Sequence, residues 1–91
     1  MSNSQAAYYA GLSKADIFTN PGNYAWNCLL YYVQFSQEEL LAAKPWIEII
    51  PMVKYQTCLT RRFIRDHFTE EVDMSDLLTW KDVERYVVNK N

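Results

Sequence analysis

The stretch KYQTCLTRRFIRDHF, residues 54–68, decides the predicted fold because it contains a helix start that recurs along the chain. An apolar residue, Leu59, is followed by a hydroxyl residue, Thr60, and four positions later by a second apolar residue, Ile64. A Ser or Thr in this place caps the first turn of a helix, and the apolar residue before it packs back onto that turn. The stretch therefore predicts a short helix from Arg61 to Phe68.

The same arrangement starts at three other places. The four copies begin at Leu12, Phe35, Leu59 and Leu78. In the inner two copies the correspondence extends to four positions, each pair separated by 24 residues: Tyr31/Tyr55, Phe35/Leu59, Ser36/Thr60 and Leu40/Ile64. Two interpretations stay open, a degenerate internal repeat or several independent helices with ordinary Ser and Thr caps.

The composition favours a single all-α domain. The 91 residues are 49% hydrophobic and 15% aromatic, but they include only 2 Gly and 3 Pro. So few turn-forming residues leave little room for the tight turns of an all-β domain, and a chain of this length forms one domain. We therefore predict a compact bundle of about five to six short helices over residues 1–91, with residues 1–4 frayed.

Capping boxes and prolines set the predicted helix boundaries. Asn20-Pro21 starts a central, heavily buried helix that reaches Val33, and Pro51 opens a helix over residues 50–57. In a capping box, an N-cap hydroxyl and an acidic residue three positions later each bind the other's backbone N–H. Three boxes are predicted: Ser13/Asp16, Ser36/Glu39 and Thr79/Asp82.

Charge and cysteine content argue against several classes of function. The formal net charge is −2, without the basic excess that is typical of nucleic-acid-binding domains. Two cysteines and one histidine are scattered in sequence, without the tight pairs of a closed zinc site. We therefore predict no metal site and no cofactor, and we expect Cys28 and Cys58 to be thiols rather than a disulfide.

Sequence signals for export or membrane insertion are missing. The N-terminal segment MSNSQAAYYAGLSK lacks the basic start and the apolar run of a signal peptide. No apolar segment approaches the length that spans a bilayer. We therefore expect a cytoplasmic protein without a membrane partner.

The segment around residues 46–67 resembles short aromatic-rich helical repeats that occur in tandem in proteins of large DNA viruses and some phages. The residues that carry this resemblance are Trp46, Val53, Tyr55-Gln56, Leu59-Thr60, Phe63-Ile64 and His67. The chain departs from the repeat pattern at Pro51 and in one extra residue before Leu59. The resemblance implies a helical architecture and a viral origin, and it supplies no active-site residues.

Residues suited to catalysis are present but lack the local pattern of an active site. His67 follows Asp66, but no G-x-S-x-G nucleophile elbow exists, and a histidine at a helix C-terminus favours the helix dipole. Cys58 precedes a helix start, where a thiol pKa falls, and Cys28 lies in an apolar helix typical of a core. We interpret these residues as structural and predict that the protein is not an enzyme.

Three arginines, Arg61, Arg62 and Arg65, lie in the first turns of the predicted 61–68 helix. Cations at a helix N-terminus oppose the helix dipole, and this small cost favours a binding role. A phosphate, a nucleic-acid backbone or an acidic patch of a partner would suit them. The structural alternative is pairing within the chain, with Glu48, Glu70 or Glu71.

The segment TEEVDMSD, residues 69–76, is densely acidic and is predicted to be a turn. It lacks the central glycine of a calcium-binding loop. One interpretation is a solvated turn, and the other is a surface that meets a basic partner. The candidate residues are Glu70, Glu71, Asp73 and Asp76.

Tyrosine and tryptophan are more numerous than a core of this size readily hides, and both are enriched in binding hot spots. Core packing and an aromatic interface both remain open. Tyr31 and Tyr32 are the candidate interface residues, within a larger set of aromatics that includes Tyr8, Tyr9, Tyr24, Tyr55 and the three tryptophans.

Together these features predict a small non-enzymatic protein that binds another protein by steric occlusion. With the viral resemblance, the expected partner is a host machine that is inhibited or redirected, such as an antiviral nuclease or a CRISPR effector complex. One alternative is a helix-turn-helix-like regulator that contacts DNA through residues 60–68, which ranks lower. Another is a structural helical module that self-associates.

Overall fold

Helices account for nearly all regular structure in residues 3–90, the part of the chain that the computed structural model describes, with side chains described for residues 7–88. Within this part no strand is present, which confirms the all-α class. The eight α-helices are α1 Asn3–Ala10, α2 Lys14–Thr19, α3 Trp26–Tyr32, α4 Gln37–Ala42, α5 Ile49–Tyr55, α6 Arg61–His67, α7 Thr69–Asp73 and α8 Trp80–Lys90. Two 3₁₀ turns lie between them, at Pro21–Asn23 and Lys44–Trp46.

The eight α-helices exceed the predicted five to six, and two segments depart from their sequence pattern. The predicted helix from Asn20 to Val33 is interrupted, since Pro21–Asn23 closes a 3₁₀ turn and Tyr24 is extended (φ −115°, ψ 149°). Helix α3 then begins at Trp26, whose indole N–H donates to the carbonyl of Pro21 at 2.8 Å. The segment buries this ring, 3% exposed, at the expense of a continuous helix.

The prediction of a turn at residues 69–76 was wrong for its first part, because Thr69–Asp73 forms α7. Val72 is buried, and its N–H donates to the carbonyl of Phe68 at 3.1 Å, so one apolar residue anchors this single helical turn. Asp76 lies in the connection that follows. At the other end of the chain, α1 already begins at Asn3, whereas fraying was predicted through residue 4, and residues 1 and 2 lie outside the described residues.

Two of the three predicted capping boxes form. Ser36 accepts from the N–H of Glu39 at 3.1 Å, and the carboxylate of Glu39 accepts from the N–H of Ser36 at 2.8 Å. Thr79 and Asp82 exchange equivalent bonds at the start of α8. Ser13 occupies the N-cap position of α2 but makes no side-chain capping bond, so the predicted box with Asp16 is absent.

The apolar residues that open the four helix starts pack in or against one core. Phe35, Leu59 and Leu78 are buried and Leu12 is partly buried against them. Helices α3 and α5 pack against each other, α1 covers α3, and α8 covers α5 and α6. The core consists of Ile17, Trp26, Leu29, Leu30, Phe35, Leu40, Ala43, Met52, Val53, Leu59, Phe63, Ile64, Phe68, Val72, Leu78, Val83 and Val87.

Two glutamines, Gln34 and Gln56, join the C-terminal ends of α3 and α5. Gln56 is fully buried; its amide donates to the carbonyls of Leu30 and Val33 at 2.8 and 2.7 Å, and its oxygen accepts from the N–H of Phe35 at 2.8 Å. In return, exposed Gln34 donates to the carbonyl of Tyr55 at 3.0 Å. Because carbonyls at a helix C-terminus have no partner within the helix, this glutamine clasp satisfies both ends and fixes the two helices side by side.

Candidate functional site

Five tyrosines from three helices form a continuous series of ring contacts on one side of the molecule. Along the series, neighbouring ring centroids lie 5.1, 4.8, 5.0 and 4.6 Å apart. The second contact is stacked, with 5° between the ring planes, and the other three are edge-to-face. Both geometries are favourable for aromatic pairs. The order of the series is Tyr8, Tyr9, Tyr32, Tyr31 and Tyr55.

Four of these tyrosines surround an open cavity of about 420 Å³, which we call the tyrosine groove. Tyr31 and Tyr55 keep 41% and 39% of their surface exposed. These are large values for rings that also contact each other. The groove is lined by Tyr9, Asn27, Cys28, Tyr31, Tyr32, Pro51 and Tyr55.

The glutamine clasp positions the rings of the groove. Tyr31 lies in the last turn of α3, and Tyr55 is the last residue of α5. Gln34 binds the carbonyl of Tyr55 directly, so the clasp holds these two helix ends at the spacing that brings the rings to 4.6 Å. Gln56 hydrogen-bonds buried backbone groups, and moving the helix ends apart would leave these groups unpaired. Such a deformation costs free energy, so the groove is preorganised.

The lining of the tyrosine groove contains no Asp, Glu, Lys, Arg or His residue. Partial burial raises the pKa of Tyr9, and a hydrogen bond with the side chain of Cys28 adds to this effect. Partial burial also raises the pKa of Tyr32. The phenols of Tyr9 and Tyr32 therefore remain protonated throughout the physiological pH range.

Cys28 was expected in the core but lines the groove, where it is half-buried. The helix that carries it is not buried on all sides, because Asn27 and Tyr31 of α3 are exposed. Both Cys28 and Cys58 are thiols, as predicted.

The three arginines lie on α6 and are engaged within the chain. The guanidinium of Arg61 lies 3.4 Å from the carboxylate of Glu84, and that of Arg62 lies 3.6 Å from the carboxylate of Asp66. Arg65 stacks on Trp80, with its guanidinium carbon 4.5 Å from the ring centroid. Pairing within the chain is thus observed, although with other partners than the three predicted glutamates.

The acidic candidates divide into two groups. The carboxylate of Glu71 lies 3.4 Å from the ammonium of Lys44, and that of Asp73 accepts from the indole N–H of Trp80 at 2.8 Å. Glu70 and Asp76 are exposed, and within residues 3–90 their side chains make no hydrogen bond or ion pair. The four carboxylates therefore differ in their contacts within the chain.

Trp80 connects these two sets of charged residues, which we call the charged face, formed by α6, α7 and the start of α8. Its ring lies under Arg65 and its N–H reaches Asp73. Neither contact was predicted, because the three residues are up to 15 positions apart in sequence.

The other residues considered for chemistry have structural surroundings. The ring of His67 packs against Phe63, with centroids 5.2 Å apart, and its backbone carbonyl accepts a hydrogen bond from Lys44. Asp66, which directly precedes His67 in the sequence, pairs with Arg62. Within the described part of the chain, no group of three or more His, Cys, Asp or Glu side chains could hold a metal ion.

The sequence indicated some of the residues that form the groove but not all of them. Tyr31 and Tyr32 were candidate residues, and Tyr8, Tyr9 and Tyr55 belonged to the wider aromatic set; the structure brings all five together but leaves Tyr24 against the core. The 24-residue correspondence of Tyr31 with Tyr55 was the available signal, since equivalent residues of neighbouring repeats often lie on one face. Nothing in the sequence indicated that Asn27 or Pro51 would line the same cavity.

Comparison with known proteins gives no match for this chain among protein-family models, curated proteins or solved structures. No helix in residues 3–90 is long and apolar enough to cross a membrane.

Proposed function

We propose that the protein acts by binding another protein through the tyrosine groove. The supporting observation is an open, uncharged cavity bordered by Tyr31 and Tyr55, each exposed by about two fifths. Tyrosine contributes a large rigid ring and a polar hydroxyl to an interface at a low cost in side-chain entropy, which is why it is frequent in binding hot spots. The charged face supports such a role less well, because its arginines already have partners within the chain.

The action we propose is steric occlusion rather than catalysis. The resemblance to viral and phage repeats suggests a host machine as the target, such as an antiviral nuclease or a CRISPR effector complex, within the host cytoplasm. A partner that places a side chain in the groove, against the exposed faces of Tyr31 and Tyr55, would be held by ring contacts and by the hydroxyl groups. The protein would then cover whatever surface of the partner carries that side chain.

We also propose that the two inner helix starts are copies of one degenerate repeat. Phe35 and Leu59 are buried at matching positions, and Leu40 and Ile64 are buried one helical turn later. Ser36 and Thr60 both cap the helices that follow. In this proposal, the glutamine clasp and the contact of Tyr31 with Tyr55 form the junction between the copies.

The test is affinity capture from host-cell lysate with two variants that remove one surface each. The first is Tyr31→Ala with Tyr55→Ala, and the second is Arg61→Ala, Arg62→Ala and Arg65→Ala. We expect the wild type and the arginine variant to retain the same stoichiometric partner and the tyrosine variant to lose it. Circular dichroism must show that both variants remain helical.

Retention of the partner by the tyrosine variant, with loss by the arginine variant, would overturn the proposal in favour of the charged face. Light scattering on the purified wild type tests the remaining alternative, in which the chain associates with itself. A dimer that the tyrosine substitutions convert to a monomer would identify a second copy of the chain as the occupant.

A further inference from the structure

A second groove, of about 370 Å³, lies between α2, α4 and the two 3₁₀ turns. It differs from the tyrosine groove because it combines aromatic rings with carboxylates. Its lining consists of Phe18, Pro21, Glu38, Glu39, Ala42 and Trp46, none of which borders the tyrosine groove.

Trp46 is the exposed aromatic residue of this second groove, with 42% of its surface accessible. Its indole N–H has no acceptor within the described residues. The other two indoles are satisfied, Trp26 by the carbonyl of Pro21 and Trp80 by Asp73, both at 2.8 Å. Trp46 thus offers a ring and an open N–H to a ligand.

The two carboxylates of the groove differ in availability. Glu39 is engaged, since it accepts from the N–H of Ser36 at 2.8 Å and from the ammonium of Lys14 at 3.0 Å. Glu38 is exposed, and within residues 3–90 its carboxylate makes no hydrogen bond or ion pair. The groove therefore carries a negative charge that no cation of the described chain compensates.

The neighbouring residues already show the chemistry that such a groove favours. The ammonium of Lys14 lies 5.2 Å from the ring centroid of Phe35 while it binds Glu39. A cation placed between an aromatic face and a carboxylate gains from both, since the ring quadrupole and the carboxylate attract it together.

We propose that the second groove binds an arginine side chain of a partner polypeptide, with the guanidinium between Trp46 and Glu38. Arginine suits this site because its planar group stacks on an indole and forms paired hydrogen bonds with a carboxylate, which a lysine ammonium does not do. The inference rests on the proposed binding of another protein, but not on the tyrosine groove as the place of contact.

The test is an NMR titration of the full chain with a blocked pentapeptide that has a central arginine between glycine and alanine residues. The control peptide replaces arginine with citrulline, which has nearly the same shape and no charge. We expect the indole N–H signal of Trp46, assigned with Trp46→Phe, to shift saturably with the arginine peptide only. The signals of Trp26 and Trp80 should stay in place.

Glu38→Gln should weaken binding of the arginine peptide on the order of three- to tenfold at low salt, as expected for the loss of one partly exposed ionic contact. The matched variant Glu84→Gln, with the same charge change outside the groove, should bind as the wild type does. An equal shift with citrulline, an unmoved Trp46 signal, or equal losses in both variants would overturn the inference.

The two proposals fail separately. If the arginine peptide does not bind although a partner is still captured through Tyr31 and Tyr55, only the arginine site is wrong. If the arginine peptide binds as expected and the partner survives the tyrosine substitutions, only the tyrosine groove is wrong.

Discussion

The tyrosine groove and the charged face are both rich in residue types that bind partners, but they use them differently. On the charged face, Trp80 contacts both Arg65 and Asp73, so these side chains hold three helices together. In the tyrosine groove, the rings also contact one another, but they still border an open cavity of about 420 Å³. The difference shows that residue type alone does not identify a binding surface. What matters is whether the contacts within the chain leave a cavity open to a partner.

The largest effect is expected at the glutamine clasp beneath the tyrosine groove. Gln56→Ala removes three hydrogen bonds from buried groups and leaves the N–H of Phe35 without its partner. We expect a loss of about 3–5 kcal/mol in the free energy of unfolding, because buried unpaired polar groups are costly. Urea denaturation followed by circular dichroism measures it.

Gln34→Ala is the matched control for this prediction. Gln34 makes the reciprocal bonds to Tyr55 and Thr57 but is exposed, so water can replace it. A loss of about 1 kcal/mol or less is expected. Equal losses in the two variants would show that the buried position of Gln56 has no special importance.

On the charged face, the largest effect is expected at Trp80. Trp80→Ala removes the ring on which Arg65 stacks and the bond to Asp73, and it should cost about 2 kcal/mol, less than for a fully buried tryptophan. Trp80→Phe keeps a ring and should cost about 1 kcal/mol, measured by thermal denaturation. If Trp80→Ala also abolished partner capture while the protein stayed folded, the distinction between the two regions would be wrong.

Acid should weaken a capping box in each half of the molecule. The backbone N–H of Ser36 lowers the pKa of Glu39, and that of Thr79 lowers the pKa of Asp82. Since both values are lower in the folded state, the stabilisation is fully present above the unfolded pKa values of about 4 and is lost as the pH falls through the folded values.

Urea denaturation between about pH 6 and pH 3 checks this sign. In Glu39→Gln with Asp82→Asn, the free energy of unfolding should fall less steeply with acid than in the wild type. Glu70→Gln, which removes an exposed carboxylate outside both capping boxes, serves as the control for the change in net charge. A steeper slope in the double variant would contradict the assignment of these caps.

The smallest effect is expected at Arg62, whose side chain is 92% exposed. Its pairing with Asp66, four residues later on the same helix, is worth about 0.3–0.5 kcal/mol at most. Arg62→Ala should therefore change the free energy of unfolding by less than about 0.5 kcal/mol. A larger loss would mean that the charged face depends on its outermost residue as well as on Trp80.

The amino-acid sequence by itself determined the helical class and the starts of the helices that carry a side-chain cap. The reason is physical: a cap such as Ser36 with Glu39 joins groups only three residues apart, so the pattern of residues already contains both partners. The same locality explains the cap at Thr60, where the helix begins as predicted. The local pattern did not decide every case, because Ser13 has the sequence pattern of a cap but its side chain makes no capping hydrogen bond.

Only the tertiary structure decided which side chains meet across the chain. Gln56 reaches back 26 residues to Leu30, and Arg61 pairs with Glu84 rather than with the glutamates nearer in sequence. Such contacts depend on how α3, α5 and α8 pack, and their packing follows from burial of the whole apolar core rather than from any local pattern. For the same reason, the sequence contained all five tyrosines, but only the packing of α1, α3 and α5 brought them into one series of ring contacts, and four of the five line the groove.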